Sequence, residues 1–144
     1  MRFAPKANLV CRTNRKEEKQ ISNSVLAYLH HRKIFAWPIN NGGVFDPIKK
    51  TFRMNKSPWF VRGVPDIMCI VELRGLGVTL YLECKTAKGK QSPAQKVFEQ
   101  NIKERKGFYF VIRSVADVSQ AIAQVEERAA HNWNGVTFID VTAE

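Results

Sequence analysis

Residues 67–84 read IMCIVEL, then RGLG, then VTLYLEC. The first run is nearly all apolar, the second is rich in β-branched and aromatic residues, and glycines punctuate the join. Two such runs across a short turn read as a β-hairpin. Downstream, Ser92 is a good N-cap, Pro93 suits the first helical position and Gly107 supplies a stop, which predicts a helix over 93–106. Residues 108–112 (FYFVI) form a third apolar strand. A strand–helix–strand unit in one sheet is a right-handed parallel crossover, so 78–112 adds a parallel strand to an antiparallel hairpin.

Further out, Ser114-Val115-Ala116-Asp117 opens a helix to about Ala130 in the manner of a capping box, and 136–141 reads as a last short strand. Upstream, Ile21, Val25, Leu26 and Leu29 recur at spacings of three and four, a helical pattern over about 16–32. Glu17 and Glu18 stand near its start, where the helix dipole favours acids. Residues 34–39 are strand-like, and Pro38 confines that strand to an edge or its end. Asn40-Asn41-Gly42-Gly43 then opens a loop to Gly63. The expected fold is α/β, a mixed sheet of about four to five strands flanked by helices. It fills one domain, 1–144, with residues 1–14 as a basic, weakly structured arm.

The apolar fraction of 44% is ordinary for a globular chain and too high for a disordered one. No apolar run approaches the ~20 residues of a membrane span, and the first nineteen residues lack the apolar centre of a signal peptide. A cytoplasmic protein, bacterial or in a phage-infected host cell, is expected. Cys11, Cys69 and Cys84 are too scattered for a disulfide framework or a zinc knuckle. The 23 Lys and Arg against 13 acids give a net charge of +10, a field that favours polyanions, nucleic acid first among them.

Chemistry concentrates around the hairpin. Asp66 opens one strand, Glu83 closes the other and Lys85 follows two positions on, on the same face as Glu83. Paired carboxylates suit a hard cation such as Mg²⁺, and a neighbouring ammonium stabilises charge developing on a phosphate. The long loop carries Lys49, Lys50, Arg53, Lys56 and Arg62 with aromatics interleaved, and Lys88 and Lys90 follow Lys85. These cations suit contacts to a nucleic-acid backbone.

Pro65-Asp66 followed by Glu83-Cys84-Lys85 resembles the PD-(D/E)xK signature of restriction-endonuclease-like nucleases. Gly63-Val64-Pro65-Asp66, Glu83-Cys84-Lys85, Lys88-Gly89-Lys90, Ser92-Pro93 and Gln95 together resemble the virus-type replication-repair nuclease (VRR-NUC) domain, over about 18–114. The resemblance implies a stand-alone, phage-like nuclease dependent on Mg²⁺ or Mn²⁺. Asp66, Glu83 and the Cys84 backbone carbonyl would hold the ion, with Glu18 in support from the first helix. Lys85 would be the catalytic lysine and Gln95 would complete the site. The strand before the turn often carries an arginine in that family where Pro38 stands here, which removes one expected phosphate contact. Relatives of this type are similar to Holliday-junction resolvases and tend to pair, so branched or duplex DNA and a homodimer are the implied partners.

Each residue also has a plainer reading. Asp66, Glu83 and Lys85 could be solvated groups at strand ends. Ser92-x-x-Gln95 is a capping box, in which Gln95 serves its own helix and need not serve a site. Glu18 competes with Glu17, and its spacing of three from Ile21 favours it. His30, His31 and His131 read as surface residues, Trp37 and Trp133 as packing, and the 40–63 loop as a solvated connection. The rival function is a non-catalytic DNA- or RNA-binding module on the same scaffold.

Overall fold

The structure is a computed structural model that describes residues 7–39, 44–53 and 57–132. Helix α1 (Ala7–His31) leads into β1 (Phe35–Pro38), the hairpin β2 (Val44–Asp46) and β3 (Thr51–Arg53), then β4 (Ile67–Leu73), β5 (Leu76–Cys84), α2 (Pro93–Glu104), β6 (Phe108–Ile112) and α3 (Val115–Asn132). The chain is α/β, with a four-stranded mixed sheet in the order β1-β4-β5-β6 flanked by three helices. β1 and β5 run antiparallel to β4, and β6 runs parallel to β5.

The β4–β5 turn is tighter than the RGLG connection suggested. Leu73 pairs with Leu76, so only Arg74 and Gly75 turn, with φ of 53° and 81°. Positive φ at both positions belongs to a type I′ turn, whose twist matches that of the strands. β5 therefore gains Leu76 and Gly77 at its start.

Register sorts the sheet into two faces. Ile67, Cys69, Leu80, Leu82, Cys84 and Ile112 share one face with Ala36 and pack against Val25 and Leu29 of α1 and Val118, Ile122 and Val125 of α3. This is the main core. Met68, Tyr81, Glu83 and Tyr109 lie on the opposite face, where Phe98 of α2 meets the rings of Tyr81 and Tyr109 at centroid distances of 5.6 and 6.2 Å. α2 buries none of its residues fully, since it covers that face alone.

Three expectations are corrected. The supposed arm is helical from Ala7, because no glycine or proline interrupts residues 7–31 once the helix begins. The 40–63 segment is not one long loop: β2 and β3 pair within it, and their turn is organised by Asp46, whose Oδ1 accepts the Ile48 and Lys49 amides at 3.0 and 3.1 Å. Helix α2 ends at Glu104, and the left-handed residue that stops it is Lys106 (φ 65°), not Gly107. The Gly107 amide donates to the Ile102 carbonyl and the Lys106 amide to that of Lys103, a Schellman closure that leaves the glycine one place beyond the reversal. Lys56, the 40–43 turn, Trp133 and the strand expected at 136–141 lie outside the described residues.

Candidate active site

Asp66 is the last residue before β4, and its backbone carbonyl accepts the Ile39 amide at 2.8 Å, which extends the β1–β4 pairing by one step. Its side chain reaches across the hairpin, where Oδ2 accepts the Cys84 amide at 2.7 Å. The carboxylate is thereby pinned to the strand that carries Glu83. Glu83 points away from the main core, yet it is completely buried, with Gln95 of α2 against it. Cys84, on the opposite face, is equally buried among the core residues.

Glu83 Oε1 receives two donors, Lys85 Nζ at 2.6 Å and Gln95 Nε2 at 2.5 Å. Its other oxygen, Oε2, is buried with no hydrogen-bond partner among the described residues. A buried carboxylate oxygen without a donor costs several kcal/mol unless something compensates it. Burial pushes the Glu83 carboxyl up to about 7; the Lys85 bond opposes that rise and the nearby Asp66 adds to it. Lys85 is itself buried, which alone would lower its ammonium, but Glu83, Glu18 and Asp66 together outweigh burial and hold it above its usual range. Glu18 Oε1 stands 3.6 Å from Lys85 Nζ on the other side, placed there by the half-buried face of α1, whereas Glu17 is exposed.

Gln95 both caps its own helix and meets Glu83. Ser92 Oγ accepts the Gln95 amide at 3.2 Å and Gln95 Oε1 accepts the Ser92 amide at 2.8 Å, a complete capping box. The same side chain gives its amide nitrogen to Glu83. The two ends of one amide thus lock the start of α2 to the carboxylate. Ser92→Ala is expected to cost about 1 kcal/mol of stability through the cap. Gln95→Ala removes the cap and a donor to the buried Glu83 together, and should cost more. Parallel melting curves check this, and equal costs for the two variants would reduce Gln95 to a cap.

Two contributors hold the site from outside it: Arg113, which sequence reasoning missed, and Gly63, which it noted only within the Gly63-Val64-Pro65-Asp66 motif. Arg113, just past β6, donates from Nη1 to the Thr86 carbonyl and from Nη2 to the Gly89 carbonyl, the latter at 3.0 Å. It clamps the turn after Lys85, and no local pattern could announce a partner so far along the chain. Gly63 has φ +75°, and a Cβ built on it would lie 2.3 Å from both the carbonyl carbon and oxygen of Ala94 and 2.6 Å from the Gln95 amide. The segment entering Asp66 therefore rests directly on the first turn of α2, which only glycine allows.

The expected nucleic-acid contacts are more dispersed. Lys49 and Lys50 are exposed in the β2–β3 turn, Arg53 closes β3, and Arg62, Lys88 and Lys90 are exposed in the segments on either side of the carboxylates. β1 leaves the sheet and β4 enters it at the end where Asp66 and Glu83 lie, so the β2–β3 excursion starts and finishes beside the site.

Among the described residues, no three carboxylate, histidine or cysteine side chains converge into a closed cage for a metal ion. Mg²⁺ needs only one or two carboxylates and keeps several waters. The all-oxygen pair of Asp66 and Glu83, with Glu83 Oε2 lacking a hydrogen bond, fits such an ion. Compared with protein-family models, characterised proteins and solved structures, the chain finds no match. No helix among the described residues is long and apolar enough to cross a membrane.

Proposed function

We propose that the protein is a Mg²⁺- or Mn²⁺-dependent DNA nuclease of the VRR-NUC type, acting on branched or duplex DNA. The observation that carries this reading is the buried Glu83. One of its oxygens is fixed by Lys85 and Gln95, the other is without a donor among the described residues, and Asp66 is tied to the adjoining residue. A buried carboxylate beside a buried lysine and a half-buried second carboxylate is expensive as mere architecture, and such perturbed clusters mark functional sites.

In this reading Asp66, Glu83 and the Cys84 carbonyl hold the ion. When bound, it stabilises charge on the scissile phosphate and lowers the pKa of a ligated water. Gln95 and the Lys85 ammonium keep the Glu83 side chain in one orientation. Lys85 also meets the negative charge that grows on the phosphate oxygens as water adds at phosphorus and the P–O bond to the leaving strand breaks. Glu18 holds Lys85 from α1, and Arg113 keeps the 86–89 turn in place beneath it. Incubating pure protein with linear, nicked, flapped and four-way DNA in Mg²⁺, Mn²⁺ or EDTA tests the proposal. Metal-dependent cleavage supports it, and tight binding with no cleavage in any metal would favour the non-catalytic binding module.

Backbone contacts by Lys49 and Lys50 make affinity salt-dependent. Each neutralised phosphate contributes a log–log slope of about −0.9 on duplex DNA, so changing both lysines to alanine should flatten the slope by up to about 1.8. An unchanged slope in binding titrations would put the β2–β3 turn off the DNA path.

Cutting two strands of a junction symmetrically calls for two sites, and a two-fold dimer supplies them. Ile48 and Trp59, 90% and 87% exposed in the segment before Asp66, are apolar side chains suited to such an interface. Light scattering without DNA is expected to give the mass of two chains, and 16.5 kDa would instead indicate an enzyme that nicks one strand at a time.

A further inference from the structure

α2 covers only the β5–β6 half of its sheet face. On the β1–β4 half the same face carries Phe35 and Trp37 from β1 and Met68 and Ile70 from β4, because Phe35 pairs with Ile70 and Trp37 with Met68. The two rings touch, with centroids 4.9 Å apart and planes tilted by 43°. Phe35 is 69% exposed, while Trp37, Met68 and Ile70 are half-buried. Glu83 lies on this same face, two strands across and two residues along from the Trp37 row. With strands about 4.8 Å apart and a rise of about 3.3 Å per residue, the rings stand about 12 Å from it. That is the length of roughly three to four nucleotides along one strand.

Resting on the nuclease reading, we propose that Phe35 and Trp37 form a stacking platform for unpaired bases of the strand whose backbone is held at Asp66 and Glu83. Exposed aromatic rings beside cations are how single strands are gripped without regard to sequence. Here Lys33 enters β1 and Arg74 turns β4 into β5 at one end of the strip, and Lys49, Lys50 and Arg62 belong to the segment at the other. One acid, Glu72, shares the face on β4. A second protein copy fits this strip less well. Stable interfaces take ~20–30 residues a side with charge depleted at the centre, whereas four apolar side chains between cations are narrow. The substrate class is thus DNA with a single-stranded stretch next to the scissile bond, such as a flap or an opened junction.

The test is binding in EDTA, where no cleavage occurs. Wild type, Phe35→Ala and Phe35→Tyr are titrated into labelled oligo-dT and into a duplex of equal length, with light scattering alongside. Phe35→Ala should weaken oligo-dT binding about tenfold, the loss expected for one stacked base, and leave duplex binding unchanged; Phe35→Tyr should restore it. Equal weakening on both DNAs, no weakening on either, or conversion of a dimer to a monomer would overturn the platform. Because the assay needs no metal, a selective loss with Phe35→Ala upholds the platform even if Asp66 variants cleave normally, in which case the metal-site reading alone fails.

Discussion

Asp66→Asn and Glu83→Gln are each expected to lower DNA cleavage by a factor on the order of 10³ or more, while binding in EDTA is retained or tightened. Both replacements keep the shape of the side chain. The asparagine would still offer an oxygen to the Cys84 amide, and the glutamine would still fill the closed volume that Glu83 occupies. What each removes is one negative charge from the pair proposed to hold the ion, together with the repulsion that pair exerts on phosphate. Lys85→Ala should be nearly as damaging. It also strips the buried Glu83 of its cation, so melting must be followed in parallel; breaking a buried pair costs about 3–5 kcal/mol. Single-turnover cleavage and anisotropy titrations measure the two effects separately. Wild-type cleavage by Asp66→Asn, with contamination excluded, would sink the proposed site.

Gly63→Ala is expected to destabilise the fold by about 2–6 kcal/mol. Left-handed backbone costs a non-glycine residue of order 1–3 kcal/mol, and forcing a methyl into filled space costs roughly 1–3 more. Gly75→Ala is the control, because Gly75 shares the positive φ, at 81°, but has nothing within 4 Å of the added carbon. The difference between the two variants in urea unfolding isolates the contact between the 63–66 segment and α2. The same contact sets where Gln95 begins its helix, so Gly63→Ala should also slow cleavage in the fraction that folds. Equal costs for the two glycines would mean that the segment does not rest on α2 as closely as 2.3 Å implies.

Much of the architecture was legible in local patterns. Strands β4, β5 and β6 announce themselves by apolar runs between turn residues, and α2 by Ser92, Pro93 and its Gln95 capping box. The misreadings share one cause: they concern places where a pattern admits two geometries. RGLG can turn over two or four residues, and only pairing of Leu73 with Leu76 selects two. A polar, basic start to α1 looks like a free arm, yet nothing in it breaks a helix. The β2–β3 hairpin is short and aromatic-rich, and its turn depends on Asp46 accepting two amides, which composition does not reveal.

By itself the sequence determined strands β1, β4, β5 and β6 and the helices α2 and α3, the alternation that puts Glu83 and Cys84 on opposite faces, and the short list of acids, lysine and glutamine from which a site could be built. Those follow from interactions between residues a few positions apart, which any stretch carries with it. Tertiary structure alone decided that Glu83 is buried with one oxygen unmatched among the described residues, that Asp66 grips the amide of Cys84, that Glu18 rather than Glu17 meets Lys85, and that Arg113 holds the turn after Lys85. It also decided that α2 leaves Phe35 and Trp37 uncovered. Each of these depends on groups far apart in the chain meeting in low-dielectric surroundings or missing one another, and burial and pairing of that kind exist only once the strands are in register.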